Sequence, residues 1–116
     1  MTAAPRSRPI VRRALADRDV DEALDHYVSV STRAAEGFVK ALERAYTQIR
    51  RAPEAGSPRW AHALDLPGLR AWPLMRYPYL VFYCVAPARI EVWRLLHTRR
   101  DIPTWLAVED DAAPGS

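Results

Sequence analysis

The sequence predicts an α+β domain in which a short N-terminal strand and a helix hairpin pack on one face of a small antiparallel sheet. Two observations support this prediction. Apolar residues recur with a helical period through the first half of the chain, and the second half changes to extended segments rich in aromatic and β-branched residues. Because a chain of 116 residues can bury one modest core, we expect a single domain.

The boundaries of this domain follow from composition. The ordered domain is predicted to occupy residues 9–106. Residues 1–8 contain arginines and a proline without a periodic apolar pattern, and we expect them to form a flexible leader. Residues 107–116 are acidic and contain proline and glycine, so they are expected to form a flexible tail that does not pack on the core.

The first half begins with a short strand within residues 9–15, followed by a helix from about residue 18 to 30 that Asp17 or Asp19 can cap. Ser31 or Thr32 can cap a second helix, which therefore pairs antiparallel with the first after a very short turn. The first helix carries one apolar stripe, formed by Val20, Ala23, Leu24, Tyr27 and Val28.

The second helix is expected to end near Arg51, because arginines favour a helix C-terminus and the prolines and glycine of the next residues prevent its continuation. Its own stripe consists of Ala34, Phe38, Ala41, Leu42, Ala45, Tyr46 and Ile49. On this pattern Lys40 lies on the solvated side of the helix.

The sheet is predicted from three extended segments, 69–75, 79–86 and 89–97, that follow a loop through "WAHALDLPG". Short turns at "RYPY" and "APAR" join them, so successive strands should pair antiparallel. The chain then offers one short helical turn, with Asp101 as its cap and Pro103 in its first turn.

Charge and cysteine content limit the functional classes. With 17 basic and 14 acidic residues, the net charge of +3 is too small to establish a polyanion partner. All the basic residues except Lys40 are arginines, whose planar forks suit carboxylates, phosphates and aromatic faces, although a compositional bias of the genome is an alternative explanation. Cys84 is the only cysteine, so no internal disulfide is possible. Because neither a signal peptide nor a membrane-spanning run is present, we expect a cytoplasmic protein.

Three strings carry a resemblance to a known family: "PEAGSPR" behind the helix pair, then "GLRAWPLMRYPYLVFYCV", then "IEVWRLLHTRRDIPTWL". In this order they resemble the RelE/ParE superfamily of toxins from type II toxin–antitoxin systems, and within it the ParE branch. The resemblance spans residues 9–106. It implies a toxin that inhibits DNA gyrase by binding and is neutralised by a ParD-like antitoxin with an acidic, amphipathic C-terminal segment. RelE-like relatives instead cleave messenger RNA on the ribosome.

A nuclease interpretation needs a proton acceptor, a cation and an acid. His97 is the candidate base, with Arg94 and Arg76 as cations and Asp101 to set its tautomer; Arg70 can replace Arg76. No tyrosine stands beside His97 in the sequence, and arginine is a poor proton shuttle, so we expect no catalytic residues. A metal-independent endoribonuclease is the alternative, and a non-toxic partner-binding protein that represses its own operon is a second one.

The contact surface is predicted from strand alternation, which places Arg70, Trp72, Leu74 and Arg76 on one side of their strand. If the helices cover the other face, arginine and tryptophan form an open platform suited to a macromolecular partner, while a solvated arginine ladder is the alternative. No residue spacing indicates a metal or cofactor, and we expect no direct DNA binding without the antitoxin. The predicted partner-binding residues are Arg70, Trp72, Arg76, Trp93, Arg94, His97, Arg99 and Arg100.

Overall fold

The fold of the computed structural model confirms the predicted α+β class. The structure describes residues 8–108, so apart from Arg8, Ala107 and Val108 the predicted leader and tail lie outside the described residues. A turn of 3₁₀ helix at Pro53–Ala55 follows the second helix. The elements are β1 (Ile10–Arg12), α1 (Ala14–Val30), α2 (Thr32–Arg51), α3 (Arg59–Leu64), β2 (Leu69–Pro73), β3 (Tyr79–Val85), β4 (Ile90–His97) and α4 (Ile102–Leu106).

The sheet has the strand order β1-β4-β3-β2. The pairs β2–β3 and β3–β4 are antiparallel, as predicted, whereas β1 joins β4 in parallel. The ladder between β3 and β4 is irregular, because Phe82 lies opposite Arg94 while Tyr83 lies opposite Val92. Trp93 is therefore an extra residue on β4, a bulge that changes which face the following side chains occupy.

The helix hairpin begins earlier than predicted. Helix α1 starts at Ala14, so Asp17 and Asp19 lie inside it, and no side chain caps its first turn. The predicted cap of α2 is confirmed: the Ser31 hydroxyl accepts a hydrogen bond of 3.0 Å from the Ala34 amide. The apolar stripe of α1 was wrong at its last position, because Val28 is 59% exposed.

The main core lies between the hairpin and one face of the sheet. Phe38 and Ile49 of α2 are fully buried there against Val81 and Tyr83 of β3 and Val92 of β4. Lys40 is exposed to solvent, as predicted. None of the helices described is both long and apolar enough to span a lipid bilayer.

A second, smaller core covers the other face of the sheet, where an open arginine and tryptophan platform was predicted. The segment expected to be a loop contains α3, and α3 and α4 bring Trp60 and Trp105 onto this face. The bulge residue Trp93 packs there as well. The platform prediction was wrong, because these short helices close the face around Leu69, Ala71, Phe82, Leu96 and Ile102.

Candidate functional site

A groove runs between α2 and the edge strand β2. Its volume is about 1030 Å³, at the upper limit of small-molecule pockets, which span roughly 300–1,000 Å³. Trp72 and Met75 belong to its apolar lining, and Met75 is 68% exposed. Charged side chains of α2 line the opposite wall: Lys40, Glu43, Arg44 and Arg51. A groove of this volume with an apolar lining beside cationic side chains suits a peptide segment.

The outward edge of β2 has no backbone N–H left for another strand. Ala71 exchanges both of its backbone hydrogen bonds with Ser57, at 2.9 Å each. The Leu69 amide donates to the Leu66 carbonyl at 3.1 Å, and Pro73 has no N–H. A partner in the groove must therefore be held by side-chain packing, as a helix is, and not by extending the sheet.

Tyr83 holds in place residues 55–57, which form one wall of the groove. Its buried hydroxyl donates to the Pro53 carbonyl at 2.8 Å and accepts from the Gly56 amide at 3.1 Å. A side chain at position 56 would collide with this hydroxyl, which explains the glycine. Arg70 holds the same segment by donating to the carbonyls of Glu54 and Gly56, at 2.7 and 2.9 Å. Arg70 is therefore committed to backbone carbonyls on the hairpin side of the sheet.

We expect Tyr83→Phe to lower the free energy of unfolding by about 1–3 kcal/mol, because the buried Gly56 amide loses its acceptor. Urea denaturation measures this change. Tyr77→Phe is the matched control, since the Tyr77 hydroxyl donates to the Ala34 carbonyl at 3.1 Å from a half-buried position that water can reach. Equal losses in the two variants would contradict the assignment of Tyr83 as the anchor of the wall.

Three exposed arginines lie at the same end of the sheet, in the β2–β3 turn and in the exit of β4. The Thr98 amide donates to the Pro78 carbonyl at 2.9 Å and joins these two segments. Arg76 lies in the turn, and Arg99 and Arg100 lie in the exit. We name Arg76, Arg99 and Arg100 the cationic end. Within residues 8–108, none of the three forms an ion pair with a carboxylate.

His97 lies at the last position of β4, beside the cationic end. Its Nδ1 accepts a hydrogen bond of 3.0 Å from the Arg99 amide, so the neutral ring carries its proton on Nε2. Burial, followed by the nearby charges of Arg99, Arg100 and His26, lowers the pKa of His97. Asp101 accepts from the Thr104 hydroxyl at 2.8 Å, so the backbone, and not this carboxylate, sets the tautomer.

Tyr79 is the neighbour of His97 that sequence reasoning missed. The two residues are opposite each other in the β3–β4 ladder, with ring centroids 5.2 Å apart. Burial is the main cause that raises the pKa of Tyr79, which keeps the phenol neutral. The contact between Tyr79 and His97 follows only from the register of β3 against β4. Alternation of residue types does not determine that register, and the bulge at Trp93 shifts it.

Arg94 was predicted as a contact or catalytic residue, but it is a structural residue. It is only 5% exposed and forms a two-pronged ion pair with Asp19, at 2.7 and 2.8 Å. A third bond of 2.8 Å joins its Nη1 to the Trp105 carbonyl. Asp19 also accepts from the Leu95 amide at 3.0 Å, on the stretch of β4 beyond its pairing with β1. Burial removes Arg94 from any partner surface and from any nuclease centre.

The structure gives the predicted contact residues five different roles. Trp72 lines the groove, and Trp93 packs in the second core beneath the Arg13 guanidinium, 4.4 Å from its ring centroid. Arg70 and Arg94 hold the fold together. His97 supports the exit turn of β4, and the remaining three form the cationic end.

Metal and thiol chemistry find no support within residues 8–108. No group of three or more His, Cys, Asp or Glu side chains in this part of the chain is placed to hold a metal ion. Burial raises the pKa of the Cys84 thiol to about 11, so at neutral pH it is protonated and a poor nucleophile.

Comparisons with known proteins agree on the fold. The model of the ParE toxin family, from the parDE type II toxin–antitoxin system, matches residues 10–102. A solved chain from the chromosomal ParDE system of P. aeruginosa superposes with a TM-score of 0.65 at 22% sequence identity, over 78% of this chain and 96% of that chain. At this identity the solved structure demonstrates a shared fold. No curated protein matches the sequence.

Proposed function

The chain belongs to the ParE toxin family of type II toxin–antitoxin systems, and from this premise we propose that it is a cytoplasmic toxin that inhibits DNA gyrase by binding it. One observation carries the non-catalytic part of this proposal: His97, beside the cationic end, has no free ring lone pair with which to accept a proton. The Nδ1 lone pair of His97 is engaged by the Arg99 amide, and burial, followed by the charges of the nearby arginines, lowers the pKa of His97. Arginine itself does not give up a proton near neutral pH.

The groove supports the proposal that a ParD-like antitoxin neutralises the toxin. An amphipathic helix could place apolar side chains against Trp72 and Met75, while acidic residues on its flank meet Lys40, Arg44 and Arg51 of α2. These charge pairs would increase the association rate and the selectivity more than the affinity. The blocked edge of β2 excludes strand addition at this site and so favours a helical partner.

A ribosome-dependent endoribonuclease is the second candidate, because the structure does bring a tyrosine to the histidine. Tyr79 and His97 are in ring contact, and Arg99 and Arg100 lie close enough to affect the pKa of His97. For this activity His97 would have to release its backbone hydrogen bond and expose a lone pair to a ribose hydroxyl.

Two assays with purified components separate the candidates. Supercoiling of relaxed plasmid by gyrase, and cleavage of messenger RNA on programmed ribosomes, are each measured with and without the protein. We expect supercoiling to fall and the message to remain intact. Cleaved message with normal supercoiling would identify the protein as a nuclease. No effect in either assay would identify a family member that binds only its antitoxin.

His97→Ala provides a sharper test of mechanism. Removal of a general base costs about 10²–10⁴-fold in rate, whereas we expect this variant to inhibit growth and supercoiling within about tenfold of the original protein. His62→Ala, at an exposed position of α3, is the control. If His97→Ala loses its toxicity while it still folds and binds the antitoxin, the non-catalytic mechanism is wrong.

A further inference from the structure

The β2–β3 turn holds Arg76 in a fixed position. The Tyr77 hydroxyl donates to the Ala34 carbonyl of α2, and Gly37 leaves room for its ring. On the other side the Thr98 amide binds the Pro78 carbonyl. Arg76 itself has a φ of 70°, in the left-handed region that few residues other than glycine and asparagine adopt readily. The turn is anchored both to α2 and to the exit of β4. Because its backbone is already ordered, little conformational entropy is lost when Arg76 binds a partner.

The exit of β4 is equally well held. The Arg99 amide donates to His97 Nδ1, and the Arg100 amide donates to the His97 carbonyl, both at 3.0 Å. The Arg100 guanidinium lies 4.1 Å from the ring centroid of Trp105. The exit therefore forms a tight turn with one arginine supported on an aromatic face.

The positive charge of this region is not neutralised within the described residues. Arg12, Arg13, Arg89 and Arg94 each form an ion pair with a carboxylate, whereas the three arginines of the cationic end form none. Asp101, the carboxylate next to Arg100 in the sequence, is bonded to the Thr104 hydroxyl. The effect of Arg99 and Arg100 on His97, whose pKa they help to lower, agrees with concentrated and uncompensated positive charge.

We propose that the cationic end binds the phosphodiester backbone of nucleic acid. Guanidinium groups match phosphate oxygens in charge and in their two-pronged geometry. Gyrase acts on DNA and the ribosome contains RNA, so this surface could contribute with either target. The proposal departs from the expectation that the chain does not contact DNA without its antitoxin.

The test is a fluorescence anisotropy titration of the purified full chain with three labelled probes: single-stranded DNA, single-stranded RNA and duplex DNA. The variant combines Arg76→Asn, Arg99→Ala and Arg100→Ala, with asparagine chosen because it tolerates the left-handed backbone at position 76. Arg59→Ala is the matched control, since Arg59 lies over Trp60 at 4.8 Å much as Arg100 lies over Trp105. Circular dichroism melting of each variant reports whether it folds.

We expect the original chain to bind at least one probe with an affinity that falls steeply between about 50 and 200 mM salt. At low salt the triple variant should bind at least about tenfold more weakly than the original chain. The slope of log Kd against log salt should also be shallower by about 2, because each of the three lost single-strand contacts contributes roughly 0.7. Arg59→Ala should change neither quantity. The preferred probe distinguishes a DNA contact from an RNA contact.

Three results would overturn the proposal. One is the absence of binding to all three probes; a second is equal binding by the original chain and a folded triple variant; a third is an equal loss in Arg59→Ala. If the triple variant loses gyrase inhibition although the original chain binds no probe, the cationic end contacts protein instead. Because the probes contain neither gyrase nor ribosome, their binding is decided independently of which target the toxin has.

Discussion

Arg94→Ala should lower the free energy of unfolding by about 3–5 kcal/mol, the largest effect we expect from a single change of a charged residue in this chain. The substitution leaves the Asp19 carboxylate buried without its cation, since the side chains of Arg94 and Asp19 are only 6% and 9% exposed. It also removes the bond to the Trp105 carbonyl that ties α4 to β4. Urea denaturation followed by circular dichroism measures the loss.

Arg89→Ala is the matched control for this prediction. Arg89 also forms an ion pair with a carboxylate on β4, that of Glu91 at 2.6 Å, but its side chain is 43% exposed. Solvent screening limits such pairs to about 1 kcal/mol or less. If Arg94→Ala and Arg89→Ala destabilise the fold equally, the Arg94–Asp19 pair is no more important than a surface pair.

Trp72→Ala should weaken binding of the proposed ParD-like antitoxin by about 2–4 kcal/mol, which corresponds to roughly 30- to 1,000-fold in Kd. Trp72 is the largest apolar side chain that lines the groove, and aromatic residues of this kind often dominate the energy of an interface. Isothermal titration calorimetry with the purified antitoxin measures the change. Inhibition of the target should persist in this variant, because the groove is not its proposed contact.

Trp60→Ala tests whether this loss is specific. Trp60 is also half-buried, but it packs on the opposite face of the sheet, in the second core. The Trp60→Ala substitution should therefore lower the free energy of unfolding without changing the affinity of the folded protein for the antitoxin. An equal loss of affinity in Trp60→Ala, or no loss in Trp72→Ala, would place the antitoxin elsewhere.

The helix hairpin could be predicted from the sequence because its signals are local. Apolar residues of α2 repeat over a long segment, and Phe38 and Ile49 are fully buried as that repeat requires. The cap at Ser31 follows from residue type and position. Helix α3 was missed because it has six residues, too few to show a period.

The candidate site was harder to predict because it depends on contacts between distant segments. Arg94 and Asp19 are 75 residues apart, and nothing in either local sequence distinguishes a buried ion pair from two solvated charges. Asp19 was predicted to cap α1, but α1 begins earlier, at Ala14, so Asp19 lies inside the helix and not at its start. His97 and Tyr79 meet only through a ladder that the bulge at Trp93 shifts.

The closed outer margin of β2 has a consequence for the toxin when no antitoxin is bound. An unpaired strand at the border of a sheet can seed fibrils, because it templates the next copy of the same chain. Here Ser57, the Leu66 carbonyl and Pro73 together remove every outward amide that such growth would use on this side. Self-assembly along this margin would therefore have to depend on side chains alone, even while the groove is empty.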